Sequence, residues 1–258
     1  MQPTAAGHFA PQPGICFSGA PNTKGHPTMP ILTVYATKGG QGTTTTAAAL
    51  ALTANQTGQQ VLLIDTGGDL PAILGHPQHH GPGLSDYVID PNVTLADITI
   101  TIREGLNLIA RGTGPINFDT YTYGLVTGGC DRYDTVIIDL GTANADPWNE
   151  HADATVFVTR PCYLAVRRSI HLPRRPSHVI MVNEPGRALS EHDIEVVLGV
   201  PVTATIPVDI DTARIIDAGL LATRLPKHIS RALRPIIANI NGSVEVASIK
   251  VANVEVAR

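Results

Sequence analysis

A chain of 258 residues is long enough to bury one sizeable α/β core, and 43% hydrophobic content with 16% charged and 4% aromatic residues points away from an aromatic-rich β-sandwich. The net charge of −4 denies the molecule as a whole a strong pull on DNA or anionic lipid, though a local basic face stays open. Cys16, Cys130 and Cys162 are odd in number, far apart and free of any C-x-x-C pair, which argues against a disulfide framework or structural zinc and fits a reducing cytosol.

Residues 1–29 hold Pro3, Pro11, Pro13, Pro21 and Pro27 among Gly, Thr and His, and read as a disordered leader. They lack the basic start and apolar centre of a signal peptide, and Met29 offers a second candidate start. From Ile31 short β-branched runs alternate with helical stretches. Strands are expected at 31–36, 61–65, 106–110 (weaker), 133–139, 154–159, 178–183 and 202–206. Helices are expected at 45–57, within 114–130, at 163–171 and at 190–198, where Ser190 and Asp193 have capping spacing. Apolar positions recur over 225–237 with Pro235 interrupting them, and 243–258 fits strand alternation and helical spacing alike. No apolar run approaches the roughly 18–20 residues that span a bilayer.

Fully apolar strands separated by helices predict a mostly parallel, doubly wound sheet in a three-layer α/β domain. Ligands then bind at the carboxyl ends of the strands, after Ala36, Ile64, Ile138 and Val182. At the first of these ends stands Lys38-Gly39-Gly40-Gln41-Gly42-Thr43-Thr44-Thr45, opening a helix. A polyphosphate needs converging backbone amides, a helix N-terminus, a cation and a hydroxyl for Mg²⁺, and this segment supplies most of that. The common pattern G-x-x-x-x-G-K-[ST] is not met, because Thr37 stands at its first glycine and Thr43 at its lysine.

The loop resembles the KGGxGKTT "deviant" phosphate loop of the ParA/MinD P-loop ATPases, whose signature lysine corresponds to Lys38. Val61 to Asp65 is similar to that family's second motif, and Tyr133 to Asp139 to its Walker B strand. Val179 to Asn183, Ile206-Pro207-Val208-Asp209 and Asp217-Ala218-Gly219 are similar to segments near the base. The resemblance covers about Pro30 to Pro226 and implies a nucleotide-binding domain over 30–226, with a C-terminal helix and tail at 227–258. It implies ATP and Mg²⁺ as cofactors, bound by Lys38 through Thr45 with Asn183 and Pro207 at the base, and Thr44 and Asp139 at the metal. Lys38 and Asp65 take the catalytic roles, Asp65 orienting water.

Two departures matter. Thr43 replaces the usual loop lysine and Gly67 a second acidic residue. A charge-assisted hydrogen bond is worth ~1.5–3 kcal/mol, so binding weakens roughly 10- to 150-fold and hydrolysis becomes slow or absent. Loops of this altered form resemble the CpaE/TadZ branch, which helps to position pilus machinery. Gly68 to Gly75 and Arg160 to Arg168 look similar to that branch as well. The family implies a cytoplasmic homodimer closed by ATP, with a protein partner or activator, acting as a spatial organiser. Peripheral association with membrane or nucleoid DNA stays open through Arg167, Arg168, Arg174, Arg175, Lys227, Arg231 and Arg234. The rivals are an active partition ATPase cycling on DNA and a non-catalytic scaffold. His76-Pro77-Gln78-His79-His80 reads as a solvated loop rather than a metal site, for want of a carboxylate or cysteine nearby.

Overall fold

The computed structural model describes residues 29–76, 81–142 and 146–240. The leader up to residue 28, the His79–His80 pair and the 243–258 tail lie outside them.

Eight strands form one sheet: β1 (Ile31–Tyr35), β2 (Val61–Asp65), β3 (Thr99–Arg103), β4 (Leu106–Ile109), β5 (Thr135–Gly141), β6 (Ala154–Thr159), β7 (His178–Asn183) and β8 (Val202–Pro207). Their spatial order is β3-β4-β2-β5-β1-β6-β7-β8, and every pairing is parallel except the hairpin of β3 on β4. The helices are α1 (Thr43–Asn55), α2 (Leu70–Ile73), α3 (Leu84–Ile89), α4 (Thr120–Thr127), α5 (Asp146–His151), α6 (Tyr163–Ser169), α7 (Glu191–Leu198), α8 (Ile210–Asp217) and α9 (227–240).

Both faces of the sheet are covered, so the central strands are buried and mostly apolar. All five residues of β2 are buried. On one face Leu32, Val34, Val61 and Leu63 pack against α1, α2 and α9. Ala47, Ala48, Ala49 and Ala51 let α1 lie close to the strands. On the other face Tyr35, Leu62, Ile64 and Ile138 meet residues of α3 through α7. Local capping sets the helix starts. Ser190 and Asp193 form a capping box on α7, Asp119 accepts from Thr122 N on α4, and Asp209 accepts from Asp211 N and Thr212 N on α8.

One expectation changes. Pro235 does not interrupt the last helix. It is exposed on α9, so the carbonyl it leaves unbonded can hydrate, while Ile229, Leu233, Ile236, Ile237 and Ile240 bury the opposite side. The helix expected within 114–130 is present as α4. Trp148, in a segment without an assigned role, belongs to α5 and is fully buried, with its ring N–H donated to Asp119 O at 3.0 Å.

Candidate functional site

The segment after β1 turns through two left-handed glycines, Gly40 at φ 76° and Gly42 at φ 91°, a conformation that a side chain at either position would strain. Gly42 caps α1 without any side-chain hydrogen bond, and no acid stands in the first turn. The earliest intrahelical bond runs from Thr46 N to Gly42 O at 2.9 Å. The amides of residues 43–45 are therefore the free positive end of α1, and an anion is their natural partner.

Three carboxylates, Asp65, Asp69 and Asp139, stand at the neighbouring strand ends. Asp65 and Asp139 are register partners at the ends of β2 and β5, and both are fully buried. Asp65 accepts from the amides of Gly67 (2.9 Å), Gly68 (2.7 Å) and Leu70 (3.1 Å), so its oxygens hold the turn after β2. Burial pushes its pKa up, the amides oppose this, and the Asp69 charge adds to the rise. Asp139 Oδ1 accepts from Gly141 N at 3.0 Å, while its buried Oδ2 has no hydrogen-bonding partner. Burial raises the Asp139 pKa to about 6. The Thr44 hydroxyl favours the ionised form without closing a hydrogen bond to Oδ2, and Asp65 and Asp69 favour the neutral one.

Around the loop lies a cavity of about 610 Å³, lined by Gly39, Gly40, Gly42, Thr43, Thr44 and Thr45 from the loop and helix, and by Thr66, Gly67 and Asp69 after β2. Leu140 and Gly141 of β5 line it too, as do Arg111, Phe118 and Thr142, and none of these last three stands out in the sequence as a site residue. A second, mostly apolar cavity of about 120 Å³ shares Gly42 and Thr45 with the first and reaches Val182, Pro207 and Ile216. Gln41 is buried. It accepts from Arg160 N at 2.8 Å and so ties the loop to the end of β6 instead of facing the cavity. Lys38 lines neither cavity, and its Nζ donates to Gly39 O at 3.3 Å on the outer surface. Asn183 is exposed at the end of β7, and Val182 lines the smaller cavity instead.

The model of the CobQ/CobB/MinD/ParA nucleotide binding domain matches residues 32–222. The chain belongs to that family. No curated protein matches it significantly in sequence. Among solved structures it is similar to MinD cell division protein of Aquifex aeolicus, at TM-score 0.68 and 19% identity over 83% of this chain and 97% of that one. It is also similar to a ParA family ATPase from Chlorobium tepidum, at TM-score 0.67 and 20% identity over 81% and 98%. A third is the septum site-determining protein MinD complexed with Mg-ADP from Pyrococcus horikoshii, at TM-score 0.64 and 18% identity over 82% and 96%. These identities carry the fold.

For a MinD/ParA family member the orphaned Oδ2 of Asp139 is informative. A hard cation such as Mg²⁺ is typically held by one or two protein oxygens together with phosphate. Asp139 Oδ2 and the Thr44 hydroxyl form such a donor set, and the residues fit the ion. Among the described residues no group of three or more His, Cys, Asp or Glu side chains is arranged to hold a metal by itself. None of the described helices is long and apolar enough to cross a membrane.

Proposed function

We propose that this chain binds ATP with Mg²⁺ in the two joined cavities and acts as a nucleotide-dependent dimeric spatial organiser, positioning cargo with weak or no hydrolysis. The observation that carries the reading is the buried, unpartnered Asp139 Oδ2 beside Thr44, facing the uncapped N-terminus of α1. Phosphates sit on the amides of residues 39–45, and the base enters the apolar cavity beside Val182 and Pro207. Thr44 and Asp139 hold magnesium, which neutralises phosphate charge when bound. The domain spans 30–226, followed by α9 and the tail.

Lys38 lies outside both cavities with its Nζ on the exposed surface, from which it would reach phosphate across a second protomer. The loop is joined there to α6, since Thr37 Oγ1 donates to Ala165 O at 3.0 Å and Arg168 donates to Thr37 O at 3.3 Å. On α6, Tyr163 and Leu164 are exposed apolar side chains that a partner would cover. The relatives' names point the same way: one similar structure is a MinC:MinD cell division complex, another a putative plasmid partition protein bound to AMPPNP. Placement in the CpaE/TadZ branch, with pilus or secretion machinery as cargo, rests on the altered loop and the sequence similarity of Gly68 to Gly75 and Arg160 to Arg168.

One observation favours the scaffold variant of this reading, in which turnover is absent. Both Asp65 oxygens are engaged by backbone amides, and Gly67 and Thr43 stand where an acid and a cation would serve hydrolysis. The test is titration with a fluorescent ATP analogue plus a measurement of dimerisation. Lys38→Ala is expected to abolish nucleotide-dependent dimerisation, and Thr43→Lys to tighten binding about tenfold or more. Dimerisation that survives in Lys38→Ala would count against the organiser.

A further inference from the structure

Among the described residues lining the larger cavity, Arg111 is the one basic side chain. We infer that Arg111 contacts the terminal phosphate of the nucleotide and takes over the charge that Thr43 leaves missing from the loop. The inference rests on the nucleotide reading above and extends it to a residue that the phosphate loop does not contain.

Strand order fixes which phosphate it meets. The apolar cavity for the base lies at β7 and β8, the loop follows β1, and Asp139 and Asp65 end β5 and β2. Crossing the sheet in that direction leads from base to loop to acids. Arg111 follows β4, one strand beyond β2, at the end farthest from the base. A polyphosphate laid along the loop therefore presents its last phosphate to Arg111.

The side chain is held but not consumed. Arg111 Nε donates to Thr66 O at 2.9 Å, and neither terminal amino group has a hydrogen bond or ion-pair partner among the described residues. Arg103 makes the contrast. It spends Nε on Asn55 Oδ1 (2.7 Å) and its terminal nitrogens on Ala222 O (3.2 Å) and Leu52 O (3.3 Å), as a structural arginine does. The Arg111 backbone is clamped as well. Leu84 N donates to Ala110 O at 2.8 Å and Ser85 N to Arg111 O at 2.9 Å. A side chain on Gly83 would come within 2.4 Å of Gly112 N, so the start of α3 lies directly against this turn. A planar guanidinium fixed at Nε with two free forks is preorganised for phosphate oxygens.

The experiment measures Mg²⁺-dependent binding of fluorescent ATP and ADP analogues to the full chain, alongside urea midpoints. Arg111→Ala is expected to weaken ATP about 10- to 150-fold while changing ADP little. Arg111→Gln keeps an N–H for Thr66 without the charge, and is expected to match Arg111→Ala on ATP and the native chain in urea. Adding Thr43→Lys to Arg111→Ala restores ATP affinity. If Arg111→Gln binds ATP as the native chain does, or if ATP and ADP weaken equally with a lowered midpoint, the assignment to the terminal phosphate is overturned and nucleotide binding stands. If the native chain binds neither nucleotide, the nucleotide reading itself fails and takes this one with it.

Discussion

Replacing Asp139 by Asn tests the metal reading through stability, independently of any activity. The buried carboxyl has its pKa raised from an ordinary 3.8 to about 6, and each unit of that difference is worth about 1.4 kcal/mol. A raised pKa means that the fold favours the protonated form. That contribution is fully present below about pH 4 and is lost as pH rises through about 6. At pH 7.5 the ionised side chain thus costs the metal-free protein up to about 3 kcal/mol. Asn keeps the acceptor for Gly141 N and removes the charge. Asp139→Asn should be more stable than the native chain by about 1–3 kcal/mol at pH 7.5 in EDTA, or about 2–4 °C in Tm per kcal/mol, with the gap closing near pH 4. Adding Mg²⁺ and nucleotide should reverse the order, because only the carboxylate gains from the dication. Urea denaturation of both proteins at the two pH values, with and without Mg²⁺-nucleotide, reads all of this. An Asn variant no more stable at pH 7.5 in EDTA, or stabilised by Mg²⁺-nucleotide as strongly as the native chain, would refute the reasoning.

Two further substitutions and probes test the neighbouring parts of the site. Asp65→Ala leaves the buried Leu70 amide without its acceptor, while the exposed Gly67 and Gly68 amides can hydrate. A loss of about 1–3 kcal/mol in urea denaturation is expected, and nucleotide affinity falls with it because Gly67 and Asp69 line the cavity. Trp148 is the only tryptophan and packs edge-on against Phe118, with ring centroids 5.2 Å apart, and Phe118 lines the cavity. Titration with unlabelled ATP should change its emission, and Phe118→Ala should reduce that change.

Much of the fold was legible because the central strands carry their own signature. Val61 to Asp65, Ala154 to Thr159 and His178 to Asn183 are apolar runs bounded by turn residues, and each is a strand of the same span in the structure. β3 was not legible. Thr99–Arg103 is a half-buried edge strand in which Thr alternates with Ile, and its pairing is set by the turn to β4 instead of by burial on both faces. α5 was hidden for another reason. Six residues are too few to show helical periodicity, and Pro147 with Asn149 reads as a loop until Trp148 is seen to fill the core.

The site divides along a similar line. Its loop was readable because backbone conformation demands glycine at positions 40 and 42 and leaves that demand written locally. Side-chain direction at the strand ends was harder to read. Val182 and Asn183 are adjacent on β7 and so point to opposite faces. The apolar cavity lies on the α1 side, where Val182 packs, and this gives the lining position to valine and leaves asparagine outside. Arg111 carries no local mark at all. It is a basic residue following an unremarkable strand, and its meaning comes from β4 lying next to β2 on the side away from the base. A loop motif can therefore announce that phosphate is bound, while strand order decides where the nucleotide's two ends fall. A cation missing from the loop can be supplied from any strand whose carboxyl end reaches the last phosphate, and the proposed role of Arg111 gives that part to β4.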